Sequence, residues 1–268
     1  QLTLSTNCYL MIDSTFRGAV TRQGNMEILK TEQGLLVYRE LNGAIENDTT
    51  ERMYNTVTTA QGAQYQVVLP DGTKVRLNAA SSIRFPVAFS GNGRYVQVSG
   101  EAFFEVAPNR YLPFYVLASD AEMCFRGTSF NVEAYSANVV ITLINGSLTL
   151  KSGRDSVLLR PAQEAVVRHS VQKDKSNRGL ITVSQADTAE TLSWKKTIRV
   201  YKNIAVRDFV QDVGRWYSLE IVNADCVPAK SVSTKLCYDA PVADVLKLLH
   251  QWGLQFKTQG NKIIFFVT

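Results

Sequence analysis

Histidine and cysteine are scarce in this chain of 268 residues. The histidines are His169 and His250; the cysteines are Cys8, Cys124, Cys226 and Cys237, with no C-x-x-C pair among them. A tetrahedral metal site needs such ligands closely spaced, so no metal centre is expected. Cys226 and Cys237 flank a strand pair and could bridge in an oxidising compartment; the other reading is that they are unpaired, buried thiols. No apolar run approaches the roughly 18 residues that a membrane span needs. The first residue is Gln1, with neither an initiator Met nor a signal peptide. The sequence therefore reads as a fragment, and attachment to a membrane upstream is left open.

Catalytic motifs are lacking too. G-x-S-x-G, the P-loop, G-x-G-x-x-G and H-E-x-x-H do not occur. The nearest approach to a catalytic dyad is Glu101 with Glu105, on one strand at about 13 Å, since the rise is about 3.3 Å per residue. Glycosidic carboxylates stand about 5–9.5 Å apart, so these two read as solvated or structural groups. Gly127-Thr128-Ser129 leads a turn whose hydroxyls serve local backbone groups rather than attack a substrate. No catalytic residue, cofactor-binding residue or cofactor is expected, and the chain does not read as an enzyme.

What is present is a globular composition, 45% apolar and 20% charged, long enough for two domains. Charge is unevenly placed. From Lys195 onward there are eleven Lys and Arg against six Asp and Glu, while the residues before carry eighteen of each sign. The net +5 thus belongs to the last quarter, which favours an acidic partner there unless it is simply a solvated basic face. The basic residues form no dense run and no aromatic–basic motif, so nucleic acid is not expected.

Residues 1–185 are punctuated as an all-β domain, a sandwich or layered β-roll. Tyr65, Val67 and Leu69 alternate with polar residues, Pro70-Asp71-Gly72-Thr73 supplies a turn, and Val75 and Leu77 resume, which predicts a hairpin over 65–78. Gly91-Asn92-Gly93 turns into Tyr95–Val98, and Gly100 separates that strand from one over Ala102–Val106. Asn145-Gly146 between Val139–Leu143 and Leu148–Leu150 predicts a second hairpin. Gly18, Gly24, Gly34 and Asn42-Gly43 read as turns among the opening strands. Residues 170–193 are polar and read as a loop leading into a linker over 186–196.

Past Trp194 the period changes. Val206, Phe209, Val210, Val213, Trp216 and Tyr217 mark one apolar helix face, with Asn203 as N-cap and Asp208 in the first turn. Val242, Val245, Leu246, Leu249 and Trp252 mark a second helix, with Pro241 near its start and Gly253 past its end. Around them lie β-prone runs at 197–201, 219–222, 231–236, 254–257 and 262–267. The order β-α-β-β-α-β-β makes 197–268 a small α+β domain of two βαβ-like units, its helices on one side of a small sheet.

With these elements placed, several phrases resemble the FecR family of anti-sigma regulators. Leu69-Pro70-Asp71-Gly72-Thr73-Lys74-Val75 through Leu77-Asn78-Ala79 and Ser81-Ser82 is similar to its LPDGTKV-LNA-S segment. Gly100-Glu101-Ala102-Phe103-Phe104-Glu105-Val106 is similar to GEAYFEV, and Pro113-Phe114-Tyr115-Val116 to PF-V. Gly127–Tyr135 resembles GT-FNV-AY, and Thr142–Leu148 resembles TL--G-V. The order is the family's own. Leu159–Ala165 departs from L-PGQ-A, with Ala162 where Gly is common. The tail, with Arg215-Trp216-Tyr217, is similar to the family's terminal domain, itself like the small signalling domains of secretins and TonB-dependent transducers.

The resemblance implies a non-enzymatic periplasmic sensor region of a single-pass inner-membrane protein. Its partners would be the signalling domain of a TonB-dependent outer-membrane transporter and, through a cytoplasmic segment upstream of Gln1, an extracytoplasmic-function (ECF) sigma factor. Charge and helix geometry place the expected contact on Arg207, Gln211 and Arg215 with the strand from Lys230 to Lys235; a merely solvated face is the competing reading. Two other readings remain: a glycan- or ligand-binding β module using Phe103, Tyr111 and Tyr115 as a stacking platform, and a structural module of the cell surface.

Overall fold

Two strands are expected on either side of Gly100, but the chain forms one, Arg94–Glu105. The computed structural model describes residues 1–5, 8–12, 15–41, 53–125, 127–136, 138–168 and 180–266. Arg94–Glu105 belongs to two sheets in turn. Residues 94–99 lie between Ser82–Pro86 and Phe114–Ala118. Residues 100–105 lie between Lys74–Leu77 and Ser129–Ala134. Gly100 makes the passage at φ +84, where a Cβ would stand 2.4 Å from Ser81 Oγ and 2.7 Å from Ser81 Cα. Only glycine fits so close a backbone approach in that conformation.

The first sheet runs Tyr9–Leu10, Leu2–Thr3, Tyr54–Thr58, Ser82–Pro86, residues 94–99, Phe114–Ala118, Ala121–Phe125, Leu148–Ser152 and Asp155–Leu159. The second runs Gly18–Gln23, Met26–Lys30, Leu36–Glu40, Tyr65–Val68, Lys74–Leu77, residues 100–105, Ser129–Ala134, Val139–Asn145, Gln163–Arg168 and Leu180–Gln185. Their inner faces meet ring on ring. Phe130 of the second sheet stacks on Phe125 of the first at 3.5 Å, and Phe104 lies 6.1 Å from Phe114. The result is a mainly β sandwich in which one strand threads both layers.

The predicted hairpin over 65–78 forms, with Val67 opposite Val75. The one predicted at Asn145-Gly146 does not. Val139–Asn145 pairs with Ser129–Ala134 and Gln163–Arg168 in the second sheet, whereas Leu148–Ser152 pairs with Ala121–Phe125 and Asp155–Leu159 in the first. The Asn-Gly step is a corner between layers: Gly146 has φ +91, and its Cβ would meet Thr128 Cγ2 at 2.4 Å. The loop predicted over 170–193 is interrupted by the strand Leu180–Gln185, which pairs along Gln163–Arg168. Short helical turns occupy Thr188–Thr191 and Ser193–Lys195 where a linker is expected. Asn42-Gly43 and His169 lie outside the described residues.

Packing divides the chain into residues 1–60 with 64–188, and residues 61–63 with 189–268. In the second unit the helices are Val206–Tyr217 and Val242–Gln251. The first buries Val206, Phe209, Val210 and Val213, as the spacing predicts, and the second buries Val245 and Leu249. Their strands divide into two sheets instead of one. Ile198–Ala205 pairs with Ser231–Cys237, and Lys262–Phe265 lies between Glu220–Val222 and Phe256–Gln259. Tyr201, Leu236, Phe256, Ile263 and Phe265 bring both sheets into the core that the helices share. Asn203 is not the N-cap. It sits at φ 52 within the Ile198–Ala205 strand, where the pairing register shifts, and Ala205 is the N-cap, with no side-chain cap hydrogen bond.

Candidate partner-binding surface

Several polar residues of these phrases point inward, onto one another. Glu101 is 2% exposed, and its carboxylate accepts hydrogen bonds from Asn78 Nδ2 at 2.8 Å and Asn131 Nδ2 at 3.0 Å. Three phrases thus meet at one buried carboxylate. Glu105 of the same strand is exposed, so the two carboxylates face different surroundings. Asp71 closes its own turn by accepting from the Thr73 amide at 3.0 Å and hydroxyl at 2.7 Å. It also accepts from buried Arg94 Nη1 at 2.5 Å, while that guanidinium reaches the carbonyls of Ala107 and Leu112. These contacts pin register. They tie neighbouring segments of the fold to one another.

The aromatic platform does not assemble. Phe103 is buried, Tyr111 is almost fully exposed, and Tyr115 stacks on Tyr95 at 4.5 Å with the rings 5° from parallel. His250 is exposed and stacked on Phe256. All four cysteines are free thiols, so Cys226 and Cys237 do not bridge. Among the described residues no cluster of His, Cys, Asp and Glu could hold a metal ion, and no helix is long and apolar enough to cross a membrane.

The predicted contact residues lie in the second unit, in unlike settings. Arg207, Gln211 and Arg215 recur every fourth residue on Val206–Tyr217, which sets them along one face. Arg207 is half-exposed and pairs with Asp225 and with the Ala224 carbonyl at 3.2 Å. Gln211 is half-buried. Arg215 has a side chain only 20% exposed and lies 3.2 Å from Asp212 Oδ1. Lys230 is exposed, donating from Nζ to the Trp252 carbonyl, and Lys235 is exposed on Ser231–Cys237. Surface charge is therefore carried by Arg207, Lys230 and Lys235, while Arg215 does internal work.

That internal work centres on Asp212, which sequence reasoning passed over. It is 5% exposed, with Arg199 Nε at 3.3 Å and the Tyr201 hydroxyl donating to Oδ2. Burial, with the Asp212 carboxylate next, holds the Tyr201 phenol well above its usual range, and Arg199 opposes the shift. The signal was available: Asp212 stands three residues after Phe209 and beside Val213, on the stripe that must face inward. A carboxylate there needs cationic partners.

Residues 55–149 match the family model described as FecR protein. No curated protein matches the chain. Two crystal structures of a candidate anti-sigma factor from Parabacteroides distasonis ATCC 8503, at 1.65 and 2.50 Å resolution, are similar to it in fold. Each has a TM-score of 0.70 and 24% identity, covering 80% of this chain and 99% of that one. The matched segment spans the Asp71 turn and Arg94, whose ion pair joins the two sheets, Gly100, where one strand passes between them, and Glu101 and Asn131 of the second sheet. Residues 55–149 of the chain are thus similar to the FecR family.

Proposed function

We propose that this chain is the periplasmic sensor region of an inner-membrane anti-sigma regulator. In this reading residues 1–185 are the scaffold, 186–196 the linker and 197–268 the receiver. The receiver takes up the signalling domain of a TonB-dependent outer-membrane transporter, and a cytoplasmic segment outside this chain acts on an ECF sigma factor. The observation that carries the reading is the FecR match over residues 55–149. The fold likeness to a candidate anti-sigma factor supports it. So does the charge: the excess of five positive charges lies wholly from Lys195 onward, where it would steer an acidic domain and set its orientation.

The test is calorimetric titration of the full chain with the isolated signalling domains of the TonB-dependent transporters of its own genome. Saturable binding of one of them, absent with the signalling domain of an unrelated transporter, is the expected result. No heat with any of them would contradict the reading. Phe103, Tyr111 and Tyr115 do not form a row, so nothing favours the glycan-binding alternative.

A further inference from the structure

Resting on the receiver reading, we infer that the partner docks as an added β-strand on the free edge of Ser231–Cys237, and that the strand it brings is acidic. The two-stranded sheet Ile198–Ala205 with Ser231–Cys237 has two outer edges. One is closed. On Ile198–Ala205 the Val200 amide donates to Ser193 Oγ at 2.9 Å, and Ser193 Oγ lies 3.4 Å from the Val200 carbonyl. The Lys202 amide donates to Glu190 Oε1 at 2.5 Å. Side chains of the turns at Thr188–Thr191 and Ser193–Lys195 thus occupy the groups that another strand would need.

Those same bonds fix which way the other strand faces. In an antiparallel ladder, residues directly opposite either exchange both backbone bonds or exchange neither. Val200 stands opposite Lys235 and gives its N–H away from the sheet, so Lys235 also points its N–H and C=O outward. By alternation Ser233 and Cys237 do the same. Cys237 supports the assignment, because its carbonyl accepts from the Tyr217 hydroxyl at 3.3 Å, on the side away from Ile198–Ala205. Tyr217 thereby closes the C-terminal end of this edge. What is left is the backbone of Ser233 and Lys235, for which no backbone partner occurs among the described residues.

An edge of this kind is a template for another strand. Its side chains say which strand. Ser231, Ser233 and Lys235 are exposed, and Lys230 adjoins them. Opposite charges across a strand pair are favourable and like charges are not. A carboxylate-bearing strand would meet Lys235, whereas a second copy of this chain would bring another unit with four excess positive charges. Edge-to-edge self-association is accordingly disfavoured, and an acidic partner is the occupant.

The probe is the transporter signalling domain selected by the titration above, used with the full chain. Ser233→Pro removes one outward N–H, and proline is tolerated on the open side of an edge strand; it should weaken binding by about tenfold or more. Ser233→Ala keeps that N–H and should bind within about twofold of the wild type. Lys235→Glu should weaken binding by about three- to tenfold at low salt, the gap narrowing as salt is raised. If Ser233→Pro is poorly folded by circular dichroism, Lys235→Glu carries the decision, since that side chain is exposed. Wild-type affinity in both variants would overturn the added strand. So would loss in Lys235→Glu with full binding by folded Ser233→Pro, or a wild-type dimer in light scattering that Ser233→Pro dissolves. Absence of binding by the wild type would instead overturn the receiver reading beneath it.

Discussion

In the first unit the buried Glu101 carboxylate accepts from two side-chain amides, Asn78 and Asn131, on neighbouring strands. In the second, Asp212 lies among the guanidiniums of Arg199 and Arg215 and the Tyr201 phenol, joining a helix to a strand. The amide-held carboxylate locks the register of three strand segments within a two-sheet sandwich. The guanidinium-held one fixes a helix on a two-stranded sheet that has a single ladder. One region is held by long ladders in two sheets; the other leaves backbone groups open at Ser233 and Lys235 on a sheet of two strands. On the proposed reading, that difference separates a scaffold from a docking surface.

Substitutions can break this comparison one side at a time. All three tryptophans, Trp194, Trp216 and Trp252, lie in the second unit, so their fluorescence follows that unit alone. Phe104→Ala empties a fully buried site between Phe114 and Phe130 and should cost the first unit about 3–5 kcal/mol in denaturant unfolding. Asp212→Ala leaves Arg199 and Arg215 without their carboxylate and should cost the second unit about 3 kcal/mol, read from the tryptophans. Glu101→Gln turns an acceptor toward two donor amides into a mixed group and should cost the first unit about 1–3 kcal/mol, with the tryptophan transition unmoved. A shared loss in both transitions would deny that the units are separately held.

The smallest effect is a pH response. Burial raises Tyr201 and, in the first unit, Tyr38. An unfolded phenol ionises at about pH 10, so the folded state retains protons that the unfolded state has lost above that pH. The stabilisation is complete below about pH 10 and is lost as pH rises further. Tyr201→Phe should therefore flatten the alkaline decline of the tryptophan transition by up to about 1.4 kcal/mol per pH unit, leaving the first unit's decline in place.

Much of this was legible in the residues. Alternation at Tyr65–Leu77 and the apolar stripe from Val206 to Val213 each specify one local structure, and both form. Gly100 and Asn145-Gly146 were misread for a common reason. A glycine at positive φ marks a bend, but whether the chain folds back or crosses to another layer is decided by distant neighbours, here Ser81 and Thr128. The strand Leu180–Gln185 alternates only over Ile181–Ser184, too short a run to stand out beside a long polar stretch, and it pairs along Gln163–Arg168. At the candidate surface, residue type located the exposed lysines. It could not tell that Arg215 turns to Asp212, because that depends on which side of the helix the strand bearing Arg199 and Tyr201 packs.

Hydrogen exchange on the wild-type chain, free and saturated with the transporter signalling domain, tests the central claim most directly. The account predicts that amide exchange slows within residues 231–237, Ser233 and Lys235 above all, while residues 65–106 exchange as before. Protection confined to the sheets of the first unit, with 231–237 unchanged, would contradict it.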